Sequence, residues 1–115
     1  MIDIGKSIYS MLSAAGIKCY PIIAENGATN PFVVYKRTSF NPTTGKDCMI
    51  YNATATVEIT VVASTYDESI ATAESVISAL NFKNNESIKD ITLIDASEDN
   101  IDDCYLQILI FNIKI

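Results

Sequence analysis

The chain has 115 residues, of which 49% are hydrophobic, and its 14 acidic and 8 basic side chains give a net charge of −6. We predict a single domain over residues 1–115, because this length is typical of one domain and is enough to form a core without disulfides or metal. The acidic balance disfavours binding to duplex DNA, which needs a basic face. The chain has no His, so catalytic triads and metal sites that depend on imidazole are excluded.

The cysteine content and the first residues indicate where the protein is made. Cys19, Cys48 and Cys104 are an odd number of thiols at long spacings, without a C-x-x-C pair. We predict that all three are reduced, mostly buried structural thiols of a cytosolic protein. Residues 1–16 lack the features of a secretory signal, since Asp3 precedes Lys6 and the apolar residues form a stripe. No apolar stretch approaches the roughly 20 residues that span a bilayer, so no membrane partner is predicted.

The first third of the chain predicts one helix and two strands. Apolar residues at helical spacing predict a helix over 3–15, with Asp3 as its N-cap and Gly16 just after its end. Those residues are Ile4, Ile8, Met11, Leu12 and Ala15. Strands are predicted over 17–23 and 32–40, separated by a loop over 24–31. Residues 41–48 are predicted to form a turn-rich connection.

The middle of the chain predicts a half-buried strand that leads into a second helix. Residues 53–61 alternate strictly between apolar and polar, which predicts a strand with one core face and one polar face. The apolar positions are Ala53, Ala55, Val57, Ile59 and Val61. Thr65 and Glu68 then fit a capping box, and the apolar spacing after them predicts a helix that ends near Asn81.

The last third predicts a polar linker over 82–89, a short strand over 91–94, an acidic connection over 95–103 and a final strand over 104–115. The order α-β-β-β-α-β-β predicts an α+β domain whose sheet is antiparallel, or at most mixed, with two helices on one face. The final strand is apolar on both faces. Two explanations are open for its second face: flanking loops cover it, or another subunit does.

No motif in the sequence predicts catalysis, a metal site or a cofactor. Gly45-Lys46 does not fit a phosphate-binding loop, because Phe40 stands where the first Gly is needed and Asp47 follows the Lys. Ser64–Asp67 has no base to activate a hydroxyl and is interpreted as a helix cap. An acidic run offers oxygen ligands for Ca²⁺ or Mg²⁺ but lacks the Gly and Glu of an EF-hand, so a solvated loop is expected. Its members are Asp95, Glu98, Asp99, Asp102 and Asp103.

Three stretches resemble a known family: Asn30-Pro31-Phe32-Val33-Val34-Tyr35, residues 56–64, and Tyr66-Asp67-Glu68 with the helix from Ala73 to Leu80. In their order and spacing, over nearly the whole chain, they resemble the tail-terminator, or tail-completion, proteins of long-tailed bacteriophages and prophages, and the related head-tail joining proteins. The resemblance implies a structural virion protein, made in the host cytoplasm, without enzymatic activity or cofactor.

The same resemblance implies partners. Such proteins form a ring, usually a hexamer, that caps the tail tube, stops its growth and offers a docking surface to the head connector. The expected partners are therefore further copies of the chain, the tube protein and the connector, without specific nucleic-acid binding. If acidic groups surround the central hole, they repel the DNA that passes through it.

The candidate interface residues lie in the final strand and around the turn-rich connection. Contacts with a neighbouring subunit or the tube are expected at Phe40, Lys46, Met49, Leu109, Phe111 and Ile113. Two other functions remain open: a head-tail connector or adaptor, and a small non-catalytic bacterial binding module. The module would be a stable monomer or dimer with a ligand pocket.

Overall fold

The computed structural model describes residues 4–21, 31–44, 50–84, 88–101 and 103–114, with the backbone alone at Ile4, 40–44 and 50–53. The described elements are α1 (Ile4–Ala14), β1 (Cys19–Pro21), β2 (Phe32–Thr44), β3 (Ile50–Ala63), α2 (Tyr66–Leu80), β4 (Asp90–Ile101) and β5 (Cys104–Lys114). This order confirms the predicted α+β fold. None of the described helices has the length and apolarity needed to cross a bilayer.

The strands form a sheet in the order β1-β2-β3-β5-β4. β1 runs parallel to β2, and the other neighbours are antiparallel, so the sheet is mixed. Both described helices pack on the same face, because their buried residues Ile8, Leu12 and Val76 share one core cluster with Ile59 of β3 and Leu109 of β5. We call this face the helix side and the opposite face the outer face.

The end of α1 is the one predicted from the sequence. Gly16 has a left-handed φ of 79°. The N–H of Ile17 donates to the carbonyl of Leu12 at 3.0 Å, and that of Gly16 donates to Ser13 at 3.0 Å. These two bonds form a Schellman motif, which satisfies carbonyls at the helix end. Asp3, the predicted N-cap, lies outside the described residues.

The capping box of α2 is confirmed with a small shift. The hydroxyl oxygen of Thr65 accepts a hydrogen bond from the Glu68 N–H at 3.2 Å. In return, the Glu68 carboxylate accepts from the N–H of Ser64 at 3.3 Å, one residue before the cap. The helix ends at Leu80, with Asn81 as its C-cap.

The β2–β3 hairpin is longer than predicted. Its pairing continues to Thr44 and Ile50, so residues 41–44 of the predicted connection belong to a strand. Residues 45–49 lie outside the described part of the chain. The alternation of β3 is confirmed where side chains are described, because Ala55, Val57, Ile59 and Val61 are buried.

The strand predicted over 91–94 is present but longer, and the prediction of an acidic connection over 95–103 was wrong. Residues 90–101 form one strand, β4, with a bulge between Leu93 and Asp95, and pairing continues to Ile101 and Cys104 beside the turn. Pairing with the long β5 outweighs the weak strand propensity of Asp and Asn. The Asp95 and Asp99 carboxylates also accept hydrogen bonds from the next backbone N–H, at 2.9 and 2.8 Å.

The predicted thiols agree with the structure in part. Cys19 is a buried reduced thiol, and Cys104 is a half-buried reduced thiol. Burial raises the pKa of the Cys19 thiol, with an opposing effect from its hydrogen bond with Ser13. A thiol of this kind is a core side chain and a poor nucleophile. Cys48 lies outside the described residues.

Candidate assembly surface

The outer face carries alternate residues of neighbouring strands, aligned in rows across the sheet. One row consists of Phe32, Val62, Leu106 and Asp99. The next row consists of Val34, Thr60, Ile108 and Ser97. A third row consists of Lys36, Glu58, Ile110 and Asp95. On β3, this face is polar at Glu58 and Thr60. On β2 and β5, large apolar residues occupy much of the same face.

An apolar patch runs diagonally over this face. It consists of Tyr20, Phe32, Val34, Val62, Leu106, Ile108 and Ile110. Leu106 is 9% exposed and the other members are half-buried, while the rings of Tyr20 and Phe32 meet edge to face at 6.0 Å. Both described helices lie on the other side of the sheet. A contiguous apolar surface of this kind is typical of a protein interface.

The structure corrects the choice of interface residues in β5. Leu109 is 2% exposed, and Phe111 and Ile113 are 0% exposed, all within the helix-side core. They are therefore core side chains of the subunit and are closed to a neighbouring protein. The opposite parity of the same strand, with Leu106, Ile108 and Ile110, supplies the outer patch.

The remaining predicted interface residues lie at the end of β2 and between β2 and β3 in the sequence. The backbone of Phe40 belongs to β2 and pairs with Ala55, while its side chain is outside the described part of the structure. Lys46 and Met49 lie outside the described residues. A contact between these three residues and the tube stays a prediction.

An exposed ion pair borders the apolar patch. The Lys36 ammonium lies 3.5 Å from a Glu58 carboxylate oxygen, and the two side chains are 53% and 26% exposed. Exposed pairs of this kind contribute about 0–1 kcal/mol. The pair therefore adds little to the stability of the fold.

The acidic residues of β4 are divided between the two faces. Asp95 and Asp99 lie in rows of the outer face, whereas Glu98 is paired with the buried Gln107. The Glu98 carboxylate accepts hydrogen bonds from the Tyr66 hydroxyl at 2.9 and 3.2 Å. Within the described residues no three acidic or Cys side chains group in a way that fits a metal ion. Asp102 lies outside them.

Tyr66 connects the start of α2 to β4. The hydrogen bond with Glu98, and then its negative charge, raise the pKa of the Tyr66 hydroxyl. Its ring also packs edge to face on Tyr105 at 6.0 Å. Below it, the Gln107 amide donates to the Ser69 hydroxyl at 3.3 Å, and that hydroxyl donates to the Tyr66 carbonyl at 2.7 Å. These contacts fix the helix on the sheet.

The end of the sheet near Tyr66 has a cleft of about 320 Å³. Its lining consists of Tyr66, Glu98, Asp99, Asn100, Tyr105, Leu106 and Gln107. The raised pKa of Tyr66 favours the protonated hydroxyl, which is a poor base and a poor nucleophile.

Comparison with known proteins finds a solved structure with a similar fold. No protein-family model and no curated protein sequence matches the chain. Among solved structures, it is similar to a chain of a particle described as "Virion of native gene transfer agent (GTA) particle", with a TM-score of 0.73 and 14% sequence identity. The match covers 93% of this chain and 90% of that chain. At this identity, the likeness shows that the two chains share a fold.

Proposed function

We propose that this chain is a structural virion protein, a tail terminator that forms a ring, caps the tail tube and offers a docking surface to the head. The observation that carries the proposal is the apolar outer face of a sheet whose other face is already filled by helices. Support also comes from the fold shared with a chain of the gene transfer agent virion over 93% of the length. The proposed function requires no catalysis and no cofactor.

The size of the apolar patch suits a subunit that is completed by other proteins. A large apolar side chain that becomes fully buried contributes roughly 1.5–3 kcal/mol, and less when it starts half-buried. Association costs about 4–15 kcal/mol before any net affinity appears. Several such residues must therefore be covered together, and the patch offers Phe32, Val62, Ile108 and Ile110 side by side. Contacts with the tube or with another virion protein would bury them.

The test is the control of tube length. The protein is mixed with its polymerising tail-tube protein, and tube lengths are measured by electron microscopy. We expect shorter tubes with extra density at their ends. Unchanged lengths without end density would overturn the proposal, and binding to the portal end of heads instead would favour a head-tail connector.

A matched pair of variants connects this activity to the outer face. Ile108→Asp places a charge in the patch, and Ser78→Asp places the same charge at an exposed position of α2. We expect Ile108→Asp to abolish capping and Ser78→Asp to retain it. Urea unfolding of both variants establishes that each is folded under the assay conditions.

A further inference from the structure

Two stretches of the described sheet edges carry opposite charge. At the β4 edge, the acidic residues Asp95, Glu98 and Asp99 are exposed. At the other edge, Lys18 precedes β1, and the exposed Lys36 and Arg37 lie on β2 just beyond the stretch that β1 covers. Complementary charge between two surfaces of one chain steers copies toward each other and selects their register.

The charges of the two edges also match in position. Lys36 and Asp95 lie at opposite ends of one row of the outer face. Asp99 lies at the end of the row that begins at Phe32. Lys18 lies beside Phe32 at the other end of that row, because Cys19 and Val33, the residues that follow them, are paired in parallel. The two rows are four residues apart along the strands, which is roughly 13 Å.

We propose that a second copy of the chain docks head to tail at these edges, so that Asp95 and Asp99 of one copy face Lys36 and Lys18 of the next. The proposal rests on the proposed ring function and names its subunit contact. The contact joins two different surfaces, so it is heterologous and closes into a ring when the rotation between copies divides a full turn. The outer face stays available to another layer of the particle.

The edge of β4 is built for side-chain contact rather than for adding a strand. The N–H groups of Ala96 and Asn100 already donate to Asp95 and Asp99. Lower on the strand, Leu93 N–H donates to the Asn81 side chain at 3.0 Å, and the Ile91 carbonyl accepts from Phe82 N–H at 2.7 Å. These bonds occupy part of the edge, which disfavours β-strand pairing with another chain there. The exposed carboxylates of Asp95 and Asp99 are the groups that this edge offers to a partner.

The Lys36 ammonium can pair with a carboxylate of its own subunit and with one of the next subunit at the same time. Its ammonium pairs with Glu58 but has three donors, and its side chain is 53% exposed. Asp95 and Asp99 use one carboxylate oxygen each for the backbone and keep further acceptor positions. Pairs of this kind lie at an exposed border, so the association should weaken as salt rises above roughly 0.1 M.

A charge-swap experiment tests the contact on the full chain. Asp95→Lys/Asp99→Lys makes both edges basic, and Lys18→Glu/Lys36→Glu makes both edges acidic. In sedimentation velocity at low salt, we expect each variant alone to associate roughly tenfold or more weakly than wild type. An equimolar mixture should recover association, because every contact is again between opposite charges in an alternating ring. The control Asp67→Lys/Glu74→Lys, on exposed positions of α2, should associate like wild type.

Zero-length carbodiimide cross-linking of mixed isotope-labelled copies identifies the pairs directly. We expect inter-copy links from Lys36 to Asp95 and from Lys18 to Asp99. A wild-type protein that stays monomeric at low salt and millimolar concentration, a mixture that fails to recover, or links confined to other residues would overturn the proposal. Tube-length control is measured separately, so charge-dependent association without capping would leave this contact standing and overturn the terminator function.

Discussion

The two faces of β5 are similar in hydrophobicity and differ in what covers them. On the helix side, Leu109, Phe111 and Ile113 are at most 2% exposed and belong to the core. On the outer face, Ile108 and Ile110 are half-buried and lie away from both described helices. Apolar content in a strand therefore does not by itself identify the core. A strand that is apolar on both faces needs two partners, and here the helices supply one of them.

Truncations at adjacent positions should separate the two faces most strongly. Phe111→Ala leaves a cavity in the helix-side core and should lower the free energy of unfolding by about 3–5 kcal/mol. Ile110→Ala removes a half-buried outer side chain and should cost about 1 kcal/mol. Urea unfolding of the isolated subunit measures both changes. Equal losses at the two positions would contradict the assignment of faces.

A polar pair on the helix side should show the next largest effect. Ser69→Ala removes the partner of the buried Gln107 amide and should cost about 1–3 kcal/mol in the free energy of unfolding. Adding Gln107→Leu should recover part of this loss, because no buried amide is then left without a partner. Asn112→Ala, on the outer face, is the matched control and should stay within about 0.5 kcal/mol. Strictly additive losses for Ser69 and Gln107 would argue against their coupling.

The smallest effect concerns pH at the edge between α2 and β4. The pKa of the Tyr66 hydroxyl is raised by Glu98, so its contribution to stability is present at neutral pH and is lost as the pH rises through the pKa of the folded state. Wild type should lose more stability than Tyr66→Phe above about pH 10. Tyrosinate absorbance should show a late-titrating component that is lost in Tyr66→Phe, because the pKa of Tyr66 is raised. Identical titrations would contradict the hydrogen bond.

Local signals in the sequence predicted the fold well where one face of an element is polar. The alternation of β3 assigned its core face, while Gly16 and Thr65 marked helix ends through backbone chemistry that depends on near neighbours alone. The core parity of β5 was beyond prediction, because both of its parities are apolar and only pairing with β3 decides between them. The acidic half of β4 was mistaken for a loop, since its strand structure depends on pairing with β5.

The candidate assembly surface was also predicted only in part, because its exact residues depend on strand pairing. The sequence indicated that strand 104–115 carries an interface, and the resemblance to tail terminators gave that interface a use. The sequence analysis assigned the contact to Leu109, Phe111 and Ile113, which are buried in the core of the subunit. The charge match between Asp95 and Lys36 was equally hidden, because these residues are far apart in sequence and become aligned only through the register of four strands.

Electron cryomicroscopy of the protein bound to tail-tube ends tests the central claim most directly. We predict a ring of this chain at the tube end, with density from a neighbouring virion subunit covering Phe32, Val62, Ile108 and Ile110. A ring in which this outer face remains open to solvent would contradict the account.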